Sequence, residues 1–502
     1  MPATSTSSAP LPDVSRRDVS VNALRPATDQ TAAWSFIAAA LLAGFYLATS
    51  LYIASHRLLW IDEVLTALTT RLPGWAAIWQ AFTHGADGLP PTYFMVERVF
   101  DNLLRHTDFG LRVPSALAVT IGLLLTFDCA RRLTDGLHGL VALSVLTCSF
   151  LPYYGHEARS YGLFFMLAAL SLWIWTHHNS ERWPWASGFG ATLFLAVLVH
   201  YYAVLILVPY AVWEMTTGKP WRTPSRKLML GIAGTLCAVA VLWTPIQAGR
   251  HIYPANNWTR PTPELLRAIF PELFPEGLFL LALLAIWIAF AATKDRVVPV
   301  LPMLSAERLG WFFLLIPLAG YLLGQISHVF VLRYFIATLP GVAVAFSCCV
   351  WRHLGNLRRV SVGILLILAT WGVAKQLSAT LHPDSGYYSP IRQILRVEDP
   401  LRQDGKRFFV LFNQARYMEA LHYSTHPEQY VLLASMDRGN QQEMMTLARY
   451  YPMQLWTFDD LKKHASDAAF IAPSPDDLDI LRHAGFAVDQ RFSRPANVAY
   501  PH

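Results

Sequence analysis

Charged residues are scarce in this sequence. Asp, Glu, Lys and Arg make up only 15% of the 502 residues, whereas an ordinary soluble domain has about a quarter. Hydrophobic residues make up 54%, and the mean hydropathy is +0.33. The shortage extends over most of the length, so the composition excludes a typical soluble enzyme and predicts a polytopic membrane protein.

Cysteine pairs and nucleotide-binding loops are also missing. The cysteines lie in apolar stretches and form neither a CxxC pair nor a metal-ligand spacing; they are Cys129, Cys148, Cys237, Cys348 and Cys349. This favours small side chains packed among helices. There is no Gly-rich phosphate loop, nucleophile elbow or nucleic-acid motif. We therefore predict neither a soluble-nucleotide site nor a nucleic-acid partner.

Long apolar runs are abundant instead. A helix needs about 20 apolar residues to cross the hydrocarbon core of a bilayer. The runs predict an all-α polytopic bundle of about eleven transmembrane helices. The predicted spans are 34–54, 113–130, 137–152, 162–176, 185–199, 203–215, 228–246, 278–292, 311–326, 335–350 and 362–376.

Basic residues distinguish the two sides of this bundle. Loops that contain Arg and Lys alternate along the chain with the remaining loops, and the positive-inside rule assigns them to the cytoplasm. The segment 1–30 has the same bias and is rich in Ser, Pro and Thr, so we expect a disordered cytoplasmic tail. The transmembrane domain is predicted over 31–380. The other loops and everything after the last span then lie on the outer face.

Two hydrophilic regions of the outer face are expected to fold. The first outer loop, 55–112, has apolar residues at helical spacing and predicts short helices in the membrane interface. The C-terminal region, 381–502, predicts a small α/β domain with a supporting or acceptor-guiding role. Its predicted strands are 408–412, 430–433 and 468–472, and its predicted helices are 443–451 and 476–484.

Asp62 and Glu63 form an acidic pair just beyond the first span. Acids beside a membrane span are costly and point to function. Taken alone, however, the pair also fits an N-cap carboxylate that opens an interfacial helix.

The turn at 152–161 joins two apolar spans on the same face as Asp62. It contains His156, Glu157 and Arg159, where a plain loop would be short and uncharged. Arg159 is a candidate for binding an anionic group, because guanidinium pairs well with phosphate. The alternative is an internally paired Glu157–Arg159 turn.

Two further outer positions carry candidate groups. His200 and Tyr201 stand at the end of a span, where tyrosine is often only an interfacial anchor. A metal site of His156, Glu157 and His200 is conceivable, but the spacing is not diagnostic. Arg333 precedes another span and either snorkels to the surface or adds positive charge to the same outer cavity.

Taken together, these motifs resemble the GT-C class of polytopic glycosyltransferases, in particular the branch of protein O-mannosyltransferases, aminoarabinose transferases and lipopolysaccharide sugar transferases. The resemblance covers about 34–350. It depends on seven motifs in order: Asp62-Glu63, the break 90–93, the entry 111–117, the end of the second span at 130–133, the stretch 157–161, the stretch 200–202, and 333–335 before a Leu-Pro pair.

The resemblance implies a site and a reaction. It implies a bacterial inner-membrane enzyme that moves a sugar from a polyprenyl phosphate to a lipid, glycan or protein acceptor on the periplasmic face. The resemblance implies Asp62 as the base. We further predict that Glu63 orients it or the acceptor, and that Arg159 and Arg333 hold the phosphate. No cofactor is predicted, although a divalent cation is left open. The predicted substrate-binding residues are Tyr93, His156, Glu157, Tyr161, His200, Tyr201 and Tyr334.

Three other functions compete with this one. A lipid-linked glycan flippase or transporter would place charges in mid-span and show an internal repeat. An O-antigen polymerase or ligase would depend on large Arg- and His-rich outer loops later in the chain. A membrane scaffold would leave the pattern of acids and arginines unexplained.

Overall fold

The computed structural model describes residues 30–177, 182–217, 224–250, 259–274, 277, 303–354, 357–383, 389–433, 447–471, 475–486, 488–492 and 498–501. Two predictions fall wholly or almost wholly outside these residues, the tail 1–30 and the span 278–292, and the helix predicted at 443–451 is described only over 447–451.

The described chain opens with five helices. They are α1 Gln30–His56, α2 Ile61–Thr70, α3 Trp75–Thr83, α4 Pro91–Leu103 and α5 Asp108–Leu133. The short helices predicted in the first loop are thus present as α2, α3 and α4. Pro91 occupies the first turn of α4, where its missing N–H costs nothing. Thr107 caps α5, and this long helix starts at Asp108, ahead of the predicted start at 113.

The rest of the membrane region is also helical. Its helices are Gly136–Cys148, Leu151–Tyr154, Tyr161–His177, Trp183–Val199, Leu207–Thr216, Arg226–Val241, Trp243–Gly249, Pro263–Leu273, Ser305–Phe312, Leu315–Ser327, Thr338–Leu354 and Arg358–Leu381, with 3-10 turns at Tyr201–Ile206 and Leu332–Phe335. Within the described residues, four helices are long and apolar enough to cross a membrane, and a fifth crossing is formed by Arg226–Val241 and Trp243–Gly249 if that bent pair is one span. A multi-pass membrane protein is confirmed, while the count of eleven spans stays a prediction.

Several predicted spans are broken where proline enters. The span predicted at 137–152 ends as a helix at Cys148, and a short helix with Pro152 in its first turn follows. The span predicted at 228–246 bends by 64° between Val241 and Trp243, shortly before Pro245. Proline lacks the N–H that a continuing helix needs, so the apolar run outlasts the straight helix.

The described residues of the C-terminal region form a six-stranded sheet. Its strands are β1 Phe408–Leu411, β2 Tyr430–Leu433, β3 Leu455–Trp456, β4 Ala468–Ile471, β5 Val488–Phe492 and β6 Val498–Pro501. Their order in the sheet is β3-β2-β1-β4-β6-β5. β3, β2, β1 and β4 run parallel, and β6 and β5 complete the sheet as antiparallel strands. The three strands predicted from the sequence are β1, β2 and β4, which are neighbours in the sheet and are more buried than β3.

Helices accompany this sheet along the chain. They are Ser389–Arg396, Glu398–Gln403, Gln414–Tyr423, Phe458–Lys463 and Pro475–His483. The last of them matches the helix predicted at 476–484.

The loop helices and the C-terminal region share one hydrophobic core. Val64 and Ala67 of α2 belong to the same buried cluster as Tyr417 and Met418 of the C-terminal helix Gln414–Tyr423. The sheet region therefore rests directly on the loop helices, and α2 lies between it and the membrane helices.

Candidate active site

Asp62 lies in the first turn of α2 and faces an arginine from a distant part of the chain. Arg333 Nη2 donates to Asp62 Oδ2 at 3.1 Å, and the two side chains are 24% and 20% exposed. Arg333 belongs to the 3-10 turn Leu332–Phe335, which precedes the helix Thr338–Leu354. The predicted partners are thus in contact across 271 positions of sequence, and Arg333 folds onto Asp62 instead of snorkelling away.

Arg159 lies on the same side of α2. Its Nη1 donates to the backbone carbonyl of Asp62 at 3.2 Å and to Thr66 Oγ1 at 3.4 Å. The same nitrogen contacts Asp87 Oδ2 at 3.2 Å. The alternative of an internal Glu157–Arg159 pair is wrong, because the carboxylate that Arg159 contacts is Asp87. We call Asp62, Asp87, Arg159 and Arg333 the open cluster.

Glu63, the second acid of the pair, points the other way and is fully buried. Arg112 Nε and Nη2 donate to its two oxygens at 2.7 and 2.6 Å. Arg57 Nη2 and the Ala158 amide complete the set at 3.3 and 2.7 Å. We call Glu63, Arg57 and Arg112 the buried cluster.

This geometry corrects the prediction for Glu63. A carboxylate with no exposed oxygen cannot orient an acceptor, and its partners are arginines instead of Asp62. Burial alone would raise the pKa of Glu63, but the guanidinium groups of Arg112 and Arg57 hold the pKa below its usual value. Glu63 also accepts from the Trp60 amide at 3.3 Å, in the manner of a first-turn acid. It therefore anchors the N-terminus of α2, one residue from Asp62.

Trp60 and Glu157 join the two clusters. Trp60 Nε1 donates to Glu157 Oε1 at 2.8 Å, and the Arg333 guanidinium lies 5.6 Å from the centre of the Trp60 ring. Burial and the Glu63 carboxylate raise the pKa of Glu157 to about 7. Among the described residues, Glu157 Oε2 is buried and has no hydrogen-bond partner. A carboxyl group that changes charge near neutral pH therefore lies beside the open cluster.

Both predicted histidines are buried and neutral. Burial and the Arg57 guanidinium keep the pKa of His156 well below its usual value. Burial and the Arg159 guanidinium lower the pKa of His200 to about 3. Within the described residues, no group of three or more His, Cys, Asp or Glu side chains is placed to hold a metal ion. The conceivable site of His156, Glu157 and His200 is therefore not assembled in this geometry.

An aromatic wall stands behind Arg333. Tyr161 lies 5.6 Å from the Arg333 guanidinium and stacks at 6.2 Å on Tyr334. Tyr334 in turn meets the edge of His200 at 4.6 Å, and His200 stacks on Phe164 at 4.7 Å. Cation–π contacts of this kind stabilise a charged guanidinium at a partly dry site.

The remaining two candidates are placed differently. Tyr201 is half-buried in the turn that follows His200. Tyr93 is fully buried and its hydroxyl donates to Glu97, a carboxyl whose pKa burial raises well above the usual value. A substrate contact by the Tyr93 hydroxyl is therefore not supported, and its role is packing inside the loop helices.

Sequence reasoning missed three groups that complete the clusters: Asp87, Arg57 and Arg112. Asp87 lies in the connection between α3 and α4, and its Oδ1 accepts from the Leu89 amide at 3.0 Å. Arg112 is fully buried inside a helix that begins a membrane span. A charged residue at that position is costly without a partner, and that signal was available in the sequence.

Part of the sequence matches a family of known proteins. Residues 89–243 match the family model of dolichyl-phosphate-mannose-protein mannosyltransferases; this range includes Arg159 but neither Asp62 nor Arg333. No curated protein matches the sequence significantly.

In fold, the chain is similar to ArnT from Cupriavidus metallidurans. The apo crystal structure has a TM-score of 0.64 and 13% identity, and the match covers 93% of this chain and 98% of that one. The crystal structure of the same protein bound to undecaprenyl phosphate has a TM-score of 0.63 and 14% identity, with the same coverage. The resemblance to GT-C class glycosyltransferases is therefore confirmed, in sequence over part of the chain and in fold over most of it.

Proposed function

We propose that this protein is a bacterial inner-membrane glycosyltransferase that moves a sugar from a polyprenyl-phosphate carrier to an acceptor hydroxyl on the periplasmic face. The observation that carries the proposal is the open cluster. The partly exposed carboxylate of Asp62 accepts a hydrogen bond from Arg333, and Arg159, from a separate part of the chain, donates to the backbone carbonyl of Asp62.

The cluster suits the chemistry of such a transfer. Asp62 acts as the general base and takes the proton of the acceptor hydroxyl as the acceptor oxygen bonds to the anomeric carbon. The bond from that carbon to the phosphate oxygen breaks, and its electron pair leaves with the phosphate. Arg159 and Arg333 stabilise the charge that develops there. One base and no enzyme nucleophile favour a single displacement, which inverts the anomeric centre.

Two observations support a polyprenyl phosphate as the carrier of the sugar. Guanidinium is well suited to bind phosphate, because its fork matches the phosphate oxygens. A solved structure of the same fold holds undecaprenyl phosphate. Asp62 and Arg333 are partly exposed at the ends of membrane helices, so a lipid phosphate can reach them while its lipid chain stays in the bilayer.

The orientation in the membrane follows from charge. Basic loops alternate with the loops that hold the open cluster, so the positive-inside rule assigns the cluster, with the C-terminal region, to the periplasm. A periplasmic site needs a lipid-borne donor, because soluble nucleotide sugars are made in the cytoplasm.

The experiment is a comparison of envelope glycolipids and glycoproteins from cells with and without this protein. We expect mass spectrometry to find one sugar of defined mass missing when the protein is absent. Wild type should restore that sugar, whereas Asp62→Asn should lower its rate of appearance by about a hundred- to ten-thousand-fold, the usual contribution of a positioned base.

A matched control is Asp459→Asn, which neutralises an exposed aspartate of the C-terminal region and should restore the sugar fully. If Asp62→Asn reaches the membrane in normal amount and restores the sugar as wild type does, the proposed function of Asp62 is wrong. If the envelope does not change when the protein is removed, the transferase proposal itself fails.

A further inference from the structure

The C-terminal helix Gln414–Tyr423 reaches the segment that leads into α2. Tyr423 Oη accepts a hydrogen bond from the Leu59 amide at 2.5 Å and donates to Asp108 Oδ2 at 2.9 Å. Leu59 is fully buried and stands three residues before Asp62. One hydroxyl from the sheet region thus bonds both the approach to Asp62 and the first residue of α5.

His422 strengthens the same connection. Its Nε2 lies 2.9 Å from Asp108 Oδ1, and only 8% of the His422 side chain is exposed. Asp108 is one helical turn before Arg112, which binds Glu63 and also donates to the Leu58 carbonyl at 2.8 Å. The bonds therefore form a continuous path from the C-terminal helix to the N-terminus of α2.

The C-terminal end of α2 is also bonded to the C-terminal region. Tyr451, from the segment before β3, lies with its hydroxyl 2.6 Å from Thr69 Oγ1. Between the two ends, Val64 and Ala67 are packed in the core shared with the C-terminal region. Contacts along both ends and one face of a ten-residue helix leave it little freedom to tilt.

We infer that Tyr423 is a positioning residue for Asp62, and that the C-terminal region acts as a clamp that fixes the proposed base against Arg333. This inference rests on the proposed function. A catalytic group must be held within about 0.5 Å of its productive place, and a short helix in a surface loop cannot supply that precision alone. Within the described residues, the Tyr423 hydroxyl is hydrogen-bonded to Leu59 and Asp108 and not to the open cluster, so its effect on Asp62 is exerted through Leu59.

The test removes that single oxygen in the full-length protein with Tyr423→Phe. We expect the rate at which the missing sugar reappears, per amount of protein in the membrane, to fall about tenfold, because misplacement by about 1 Å costs up to a hundredfold. Binding of undecaprenyl phosphate to the purified protein should stay within about twofold of wild type, since Arg159 and Arg333 are intact. A loss of rate without a loss of binding separates positioning from general damage.

The matched control is Tyr417→Phe. Tyr417 lies on the same helix, is fully buried, and its hydroxyl accepts from the Gln454 amide at 2.6 Å within the sheet region. It should keep the wild-type rate. Hydrogen exchange gives a reading that needs no activity: amides of 58–70 should exchange faster in Tyr423→Phe and not in Tyr417→Phe.

The outcomes separate the two ideas. If Asp62→Asn abolishes sugar transfer while Tyr423→Phe matches Tyr417→Phe in rate and exchange, the clamp is overturned and the proposed function stands. If Asp62→Asn transfers normally, the proposed base fails whatever Tyr423→Phe does. Should Tyr423→Phe not reach the membrane, His422→Leu, which removes the neighbouring bond to Asp108, is judged by the same expectations.

Discussion

The two sides of α2 carry the same kinds of charge but differ in their access to solvent. In the buried cluster every oxygen of Glu63 is bonded to donors that are themselves inside the protein. In the open cluster Asp62 and Arg333 keep about a fifth of their side-chain surface exposed. Of two adjacent acids in the sequence, one is therefore an anchor inside the protein and the other is the partly exposed group that we propose as the base.

The difference predicts opposite consequences of substitution. Removing one partner from a buried ion pair leaves an uncompensated charge and costs several kcal/mol. Partly exposed pairs contribute little to stability, because water can replace the lost partner. Changes in the buried cluster should therefore act on folding, and changes at Asp62 or Arg333, the partly exposed pair of the open cluster, on binding and rate.

Arg112→Met should destabilise the protein strongly. Glu63 would lose the guanidinium that binds both its oxygens and would stay buried, so we expect destabilisation of about 3–5 kcal/mol. Thermal unfolding of the detergent-solubilised protein measures it. Adding Glu63→Met removes the stranded charge and should recover most of the lost stability.

The control for Arg112→Met is Arg71→Met. Arg71 also binds a buried carboxylate, Asp101, at 3.1 Å, but 29% of its side chain is exposed. Arg71→Met should therefore destabilise the protein less than Arg112→Met does. Equal unfolding temperatures for the two single variants would show that the buried cluster contributes no more to stability than the Arg71–Asp101 pair does.

A smaller effect is expected for Arg333→Gln. We expect near-normal thermal stability but a dissociation constant for undecaprenyl phosphate that is about ten- to a hundredfold higher, the usual value of a hydrogen bond to a charged group. Fluorescence titration of the purified protein measures the affinity, since Trp60 lies against the Arg333 guanidinium.

Arg250→Gln serves as the matched control. Arg250 is an exposed arginine at the end of the helix Trp243–Gly249, and its removal should leave the affinity unchanged. The comparison between the two clusters breaks down if Arg333→Gln binds the lipid normally or unfolds as readily as Arg112→Met.

The sequence predicted the open cluster better than the buried one. Asp62, Arg159 and Arg333 each stand where an apolar run meets a loop, and that position is readable from the chain. Asp87 lies in a stretch without such a signal and is placed by the turn between α3 and α4. Arg112 falls within the motif 111–117, but its role is not readable from the chain, because its partner Glu63 is 49 positions away and inside the fold.

The same distinction applies to the fold. β1, β2 and β4 were predictable because buried parallel strands are continuous apolar runs. β5 and β6 contain polar residues or proline, so neither is a continuous apolar run, and they form the antiparallel end of the sheet with β5 at its edge. The broken spans were predicted as longer straight helices than the structure contains. Hydropathy gives the length of an apolar run but does not detect a bend at proline.

Glu157→Gln should change the pH dependence of lipid binding only modestly. Glu157 has a pKa of about 7 and lies between the clusters. Above that pH its carboxylate adds negative charge near Arg333 and should weaken the binding of undecaprenyl phosphate; below it the group is neutral and resembles glutamine. The ratio of dissociation constants, wild type over variant, should therefore be near one at about pH 6 and several-fold at about pH 8. The ratio cancels the ionisation of the lipid phosphate itself, so a value independent of pH would place Glu157 with the buried cluster, as a permanently protonated or permanently paired group.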